Sequence, residues 1–178
     1  NTKNYTLVRK DRGKNKGGGL AFLVHESVTF YQETTPPTLS NDPHLESLTI
    51  TIPGKDNKLQ IRNIYIPPYS SCQPQYTPPL NNIFDELNDT SIVIGDFNAQ
   101  PDSLPAAKDL IENEKWIDVG TKASWWGGRD NENICQTRPQ AKPSRIDGVF
   151  ASEGAIQFIK KFEIIKDDMI PTHSVVRL

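Results

Sequence analysis

Apolar residues in this chain fall into short runs punctuated by glycine, proline and asparagine, with no single long stripe. Leu20 to Val24 is a compact run released by glycines, and Leu48, Ile50 and Ile52 alternate with threonines as a half-buried strand requires. Leu59 to Ile66 predicts another strand, with Leu59, Ile61, Asn63 and Tyr65 on one face and Ile64 and Ile66 on the other; Pro67 and Pro68 stop it. From Thr77 the period lengthens. Thr77 caps, Pro78 suits a first helical turn, and Leu80, Ile83, Phe84 and Leu87 recur at helical spacing. Ser91 to Ile94 is the next strand and ends at Gly95. Further helices are predicted from Ser103 to Lys115, with Ala107, Leu110 and Ile111 inward, and from Glu153 to Lys160. Gly120 to Pro143 reads as loop, and Arg145 to Ala151, Phe162 to Lys166 and Ser174 to Leu178 as closing strands. Mostly antiparallel strands with interspersed helices predict an α/β fold of the α+β kind: two packed sheets flanked by helices, one domain over residues 1–178.

Composition narrows the class. At 35% apolar residues the chain can bury an ordinary core, and no apolar run is long enough to span a bilayer. Asn1 to Lys16 is polar and basic, with only Tyr5, Leu7 and Val8 to bury, so it is not a secretory signal and an intracellular location is expected. Cys72 and Cys135 are too few for a paired-cysteine zinc site or a disulfide framework, and both read as free thiols. Twenty basic against twenty-two acidic residues removes any global argument for nucleic acid. One basic cluster, Lys3, Arg9, Lys10, Arg12, Lys14 and Lys16 ahead of Gly17 to Gly19, is either a solvated loop or a phosphate-contacting one.

Three segments could carry chemistry. In Ile92 to Ala99 an apolar strand runs out at Gly95, placing Asp96 and Asn98 at a sheet rim; in extended backbone they would point the same way. A carboxylate there can deprotonate a water and an amide can donate to a phosphate oxygen, or both can merely cap a turn. In Ser144 to Ser152, Asp147 interrupts an apolar strand, where it needs either Arg145 or a histidine as partner. His173 sits just before the terminal apolar strand.

Together these segments resemble the endonuclease/exonuclease/phosphatase superfamily, the group of apurinic-endonuclease and DNase I-like proteins. Asn63-Ile64-Tyr65-Ile66-Pro67-Pro68 is similar to the strand bearing that family's active-site tyrosine, and Gly95-Asp96-Phe97-Asn98-Ala99 to its Asp-x-Asn motif. Ser124-Trp125-Trp126, Arg145-Ile146-Asp147 and Thr172-His173-Ser174 follow in the family's order. The resemblance implies a DNase I-like four-layer sandwich of two mixed sheets flanked by helices. It implies that Asp96 handles the nucleophilic water, that Asn98 supports it, and that Tyr65 acts at the scissile phosphate. His173 would donate to a non-bridging oxygen, held by Asp147 in its protonated form. Trp125, Arg145 and Asn63 would contact substrate. Mg²⁺ or Mn²⁺ would be held by Asp96 and Asn98.

Arg9-Lys10-Asp11-Arg12 leading into Gly17 to Val24, then Leu45 to Leu48, resemble endonuclease domains of non-LTR retrotransposons. Those nick target DNA to prime reverse transcription. The implied partners are DNA and a reverse transcriptase domain, the implied location nuclear, and no membrane is involved.

Two departures stand out. Family members open with an asparagine-bearing strand and a strand ending in a metal-binding glutamate, and the chain is expected to lack these N-terminal strands. Glu26, Glu33 and Glu46 are the early carboxylates, and none follows an apolar strand in the family's manner. Thr172 replaces the usual aspartate, a much weaker ligand for a hard cation. Weak or absent activity is therefore expected, with Asp167 and Asp168 read as solvated. Trp126 is expected in the core and Trp125 at a nucleotide pocket. Ser144, where repair-type members carry an aromatic, favours general or retroelement nicking over abasic-site repair. Other readings that keep the fold are a phosphoinositide or sphingomyelin phosphoesterase and a catalytically dead DNA-binding module.

Overall fold

The structure is a computed structural model, and it describes residues 3–12, 18–42, 44–68, 80–100, 105–113, 115–170 and 172–178. Lys14, Lys16, Gly17, Cys72, Thr77, Pro78 and Ser103, named above, lie outside the described residues. In chain order the elements are β1 (Tyr5–Lys10), β2 (Leu20–His25), β3 (Tyr31–Gln32), α1 (Pro37–Ser40), β4 (Glu46–Pro53), β5 (Lys58–Tyr65), α2 (Leu80–Asp85), β6 (Ser91–Asp96), α3 (Pro105–Glu112), β7 (Trp116–Asp118), β8 (Asp147–Ser152), β9 (Glu163–Ile165) and β10 (Val175–Arg177). Val119–Trp126 and Glu153–Phe158 form 3₁₀ turns.

Six strands form one sheet in the order β3-β4-β5-β6-β8-β7. Its pairs are antiparallel except β5–β6, which is parallel and joined by a connection that contains α2, as a parallel pair needs a crossover. Register keeps one face continuous: Ile50 opposes Ile61, Ile61 opposes Ile92, and Ile92 opposes Ala151. The β1–β2 ribbon covers this face at one end, packing Val8, Leu20 and Val24 on Leu48 and Ile50. The β9–β10 ribbon covers it at the other, where Ile164 and Val176 meet Ile92, Val149 and Ala151. On the opposite face Ile64, Val93 and Phe150 pack with Leu39 of α1, Ile83 and Phe84 of α2, and Ala107 of α3. Buried Arg62 fastens that helix layer to the sheet, donating to Thr49 Oγ1 at 2.9 Å and to the Ile83 carbonyl at 2.7 Å. The expected mixed α+β layering is present, and among the described residues the second β layer consists of the two ribbons.

Several elements differ from the sequence expectation. The start of the chain, read as polar, contributes strand β1, because a ribbon edge needs only Val8 buried and β2 satisfies its backbone. The helix expected from Glu153 is instead a short 3₁₀ segment, Glu153–Phe158, in which Gly154 packs closely on the Asp89 carbonyl. The stretch read as loop from Gly120 contains the other 3₁₀ segment, preceded by the unforeseen β7. Among the described residues no helix is long and apolar enough to cross a membrane.

The parallel β5–β6 pair depends on Gly95, whose φ is +147° and whose missing Cβ would lie 1.9 Å from the Ile64 carbonyl oxygen. No side chain fits there without separating the strands. Gly95→Ala is expected to destabilise the fold by about 3 kcal/mol or more. Urea unfolding of the two proteins checks this, and an unchanged midpoint would contradict the close approach.

Candidate active site

The site begins as a row. Glu46 of β4 opposes Tyr65 of β5, Tyr65 opposes Asp96 of β6, and Asp96 opposes Asp147 of β8. Neighbouring strands lie about 4.8 Å apart, so register alone brings these polar groups side by side at one end of the sheet. His173 joins from the segment before β10, its Nδ1 2.7 Å from Asp147 Oδ2. One ligand atom from each of Asp96, Asp147 and His173 lies within 4.8 Å of the others.

Asn98 arrives by a different route from the one expected. The backbone after β6 is not extended: Asn98 has φ +49°, and its N–H donates to Asp96 Oδ1 at 2.8 Å, closing a tight turn. Its side-chain Nδ2 donates to the Ile66 carbonyl at 2.8 Å, which directs the remaining amide oxygen away from that bond. The turn reading and the site reading therefore both hold, since the turn is what positions Asp96.

Burial dominates the electrostatics. It pushes the Asp96 carboxyl up, with Asp147 adding to the rise and the Asn98 N–H opposing it. It also pushes Asp147 up against the opposing effect of His173. The Cys135 thiol is raised by burial and by both aspartates. Two carboxylates held in adjacent strands disfavour each other's charge, so the site is poised to accept a cation or a proton.

Two clefts open on this row. One, of about 330 Å³, is lined by Arg12, Gly18, Gly19, Asn63, Tyr65 and Asp96. The other, of about 600 Å³, runs past His173 between Arg129, Gln136, Lys166 and Thr172. Thr172 is exposed on its wall, as are Asp167 and Asp168. Arg12 reaches the first cleft by stacking over the Tyr65 ring, 4.9 Å from its centroid, while pairing with Glu46. A Cβ on Gly18 would collide with that guanidinium, so the glycine makes room for it. Asn63 lines the same cleft, with Nδ2 3.4 Å from the Ala21 carbonyl.

Two expected substrate contacts lie elsewhere. Arg145, expected at the substrate, is buried in a bidentate pair with Asp118, at 2.9 and 2.8 Å, behind the site. Gly120 leaves the space that its guanidinium fills. Asp147 takes the histidine, one of the two partners expected for it. Trp125, expected at a nucleotide pocket, is 60% exposed beside Lys122 and lines neither of these two clefts. Trp126 packs half-buried against the core, as expected. Sequence reasoning places Glu46 only among the early carboxylates and Cys135 only among free thiols, and it does not single out Asp118. Glu46 was visible as the start of an alternating strand, but only its register with Tyr65 gives it a place beside the site.

The model of the endonuclease/exonuclease/phosphatase family matches residues 2–159. The chain belongs to this family. Its members are generally hydrolytic and typically depend on a divalent metal. No curated protein sequence matches the chain. Among solved structures, an endonuclease/exonuclease/phosphatase family protein from Leptotrichia buccalis C-1013-b superposes with a TM-score of 0.59 at 13% identity, covering 98% of this chain and 72% of that one. The endonuclease domain of TRAS1, a telomere-specific non-LTR retrotransposon, gives 0.63 at 15% identity, over 96% and 76%. D. rerio TDP2 complexed with single-strand DNA product gives 0.54 at 15% identity, over 85% and 64%. At such identities the likeness establishes the DNase I-like fold.

The electrostatics of this row give a signed prediction. Because burial raises Asp96 above its unfolded value, the folded state favours the protonated acid, and that stability is lost as pH rises through the raised value. Asp96→Asn, permanently neutral and still able to accept from the Asn98 N–H, is expected to raise Tm at neutral pH. The gain should vanish below the ordinary carboxylate range. Tm measured against pH for both proteins checks it, and superimposed curves would remove the burial cost. For the buried pair behind the site, Arg145→Met strands the Asp118 charge and is expected to cost about 3–5 kcal/mol. Adding Asp118→Leu should recover most of this in urea unfolding.

Proposed function

We propose that this chain hydrolyses phosphodiesters in DNA with Mg²⁺ or Mn²⁺, as the target-nicking endonuclease of a retrotransposon. The convergence of Asp96, Asp147 and His173 between two open clefts carries the reading. A polymer can enter past Arg12 and leave past Arg129 and Lys166, with its scissile phosphate over the row. A small headgroup would need only one cleft. The fold likeness to the TRAS1 endonuclease domain supports the retrotransposon branch. On this reading the chain acts beside a reverse transcriptase domain, in the nucleus, where its DNA target lies.

Asp96 orients and deprotonates the attacking water, its geometry fixed by the Asn98 N–H. His173, held at Nδ1 by Asp147, presents Nε2 towards a non-bridging phosphate oxygen. Tyr65, clamped under Arg12, acts on the neighbouring phosphate oxygen. The Asp96 carboxylate and the Asn98 amide oxygen are hard donors of the kind Mg²⁺ takes alongside waters, so the donor set fits. A divalent cation bound there offsets the charge that builds on the phosphate.

Incubation of supercoiled plasmid with the protein and Mg²⁺ or Mn²⁺ is expected to give nicked circles slowly, because Thr172 offers a hard cation a much weaker ligand than a carboxylate. Asp96→Ala and His173→Ala should each slow nicking by about 10²-fold or more. The rate should fall with decreasing pH at a point above the usual carboxylate range, because Asp96 must be ionised. Phosphate released from phosphoinositides while plasmid stays intact would replace DNA by a lipid headgroup as substrate.

A further inference from the structure

The end of strand β1 and the residues after it bring two cations to the start of β4. Lys10 Nζ donates to the Ser47 carbonyl at 3.2 Å, and Arg12 meets Glu46 Oε1 through both Nε and Nη2. The intervening Asp11 pairs with Arg9 at 3.4 Å. Two cations therefore gather beside a single carboxylate, which leaves a local excess of positive charge next to Tyr65.

Arg12 is fixed without being hidden. Its guanidinium lies 4.9 Å from the Tyr65 ring centroid, and its side chain keeps 33% of its surface exposed against 12% for Glu46. Burial works against its charge, but Glu46 and the Tyr65 side chain together outweigh this and raise its pKa above the ordinary value. Five N–H donors exceed what one carboxylate oxygen can take up. Gly18 and Gly19, with φ of +91° and +108°, complete the wall. A Cβ on the first would strike the guanidinium, and one on the second would stand 2.9 Å from the Lys10 carbonyl oxygen. Backbone alone lies there, which lets a ligand approach closely. The cleft of about 330 Å³ so formed has Arg12 and Asp96 in the same lining. An arginine held in place beforehand loses little side-chain freedom on binding, and its planar fork matches phosphate oxygens. A clasp between ribbon and sheet would need the Glu46 pair but not the opening that the glycines leave beside it.

We propose that Arg12 is the cation of a phosphate subsite, aimed by Glu46 and Tyr65 and walled by Gly18 and Gly19, which holds the DNA backbone phosphate next to the one over the row. That the phosphate belongs to DNA rests on the function proposed above; anion binding at Arg12 does not.

Anisotropy of a fluorescein-labelled DNA duplex, measured in EDTA over a series of KCl concentrations, follows binding without cleavage. Arg12→Gln is expected to weaken binding about 10-fold or more. It should also make the dependence of log K on log salt shallower by about 0.9, the share of one phosphate contact. Arg12→Lys keeps the charge without the fork, so the slope should stay while part of the affinity is lost. Circular dichroism and urea unfolding check that each variant is folded. An unchanged slope in Arg12→Gln would overturn the subsite and leave DNA binding intact. A second measurement uses inorganic phosphate and no DNA. At constant ionic strength the Gly18 and Gly19 amide resonances should shift saturably with phosphate, and should cease to do so in Arg12→Gln. No shift, or the same shift in the variant, would likewise overturn the subsite. A duplex that fails to bind while the phosphate response holds would remove DNA as the ligand and keep the anion subsite.

Discussion

Backbone hydrogen bonds at one end of the large sheet hold Tyr65, Asp96 and Asp147 in a common row, and the chemistry follows from that register. A slip of one residue in any of these strands would turn its polar group to the helix face and replace it with an apolar one. The register is defended from both sides. Above, the two ribbons bury Leu48, Ile50, Ile92 and Ala151; below, Ile64, Val93 and Phe150 are locked against the helices. Gly95 then allows β5 and β6 to approach closely just before Asp96 emerges.

Such a row costs stability. Asp96 and Asp147 are neighbours in space, partly buried, and both resist ionisation. The surrounding structure offsets this with local hydrogen bonds: an N–H from Asn98 for one carboxylate, an imidazole for the other. Behind them, the Arg145–Asp118 pair fixes the strand that presents Asp147 to the end of β7. Arg145 lies two residues from Asp147, yet it serves the scaffold and Asp147 serves the site. Alternation along an extended segment would put both on one side, and the departure comes from residues 145–146 preceding the regular part of β8.

How much of this was legible follows the range of the interactions. Strands with strict alternation, such as residues 48–52 and 59–66, were readable because burial on one face writes a period of two into the sequence. Asp96, Asn98, Asp147 and His173 were readable as short motifs in order. What could not be read were pairings between distant segments. Nothing near Arg145 indicates that its carboxylate is Asp118 and not Asp147. Nothing near Glu46 announces Tyr65 as its neighbour. Strand β1 was hidden because one inward valine suffices once a partner strand supplies hydrogen bonds. The fine geometry of Asn98 was hidden too, since Asp-x-Asn fits both an extended rim and a turn.

His173 shows how one side chain can face two kinds of chemistry. Its Nδ1 is taken by Asp147, a contact that fixes the ring and favours a proton at that nitrogen. Everything else therefore depends on Nε2. With a proton there, the ring can donate to a phosphate oxygen; without one, it can accept from the Cys135 thiol, whose sulfur stands 3.8 Å away. These two uses exclude each other because they occupy the same atom. Hard cations have little reason to choose that nitrogen while carboxylate oxygens stand in the same row.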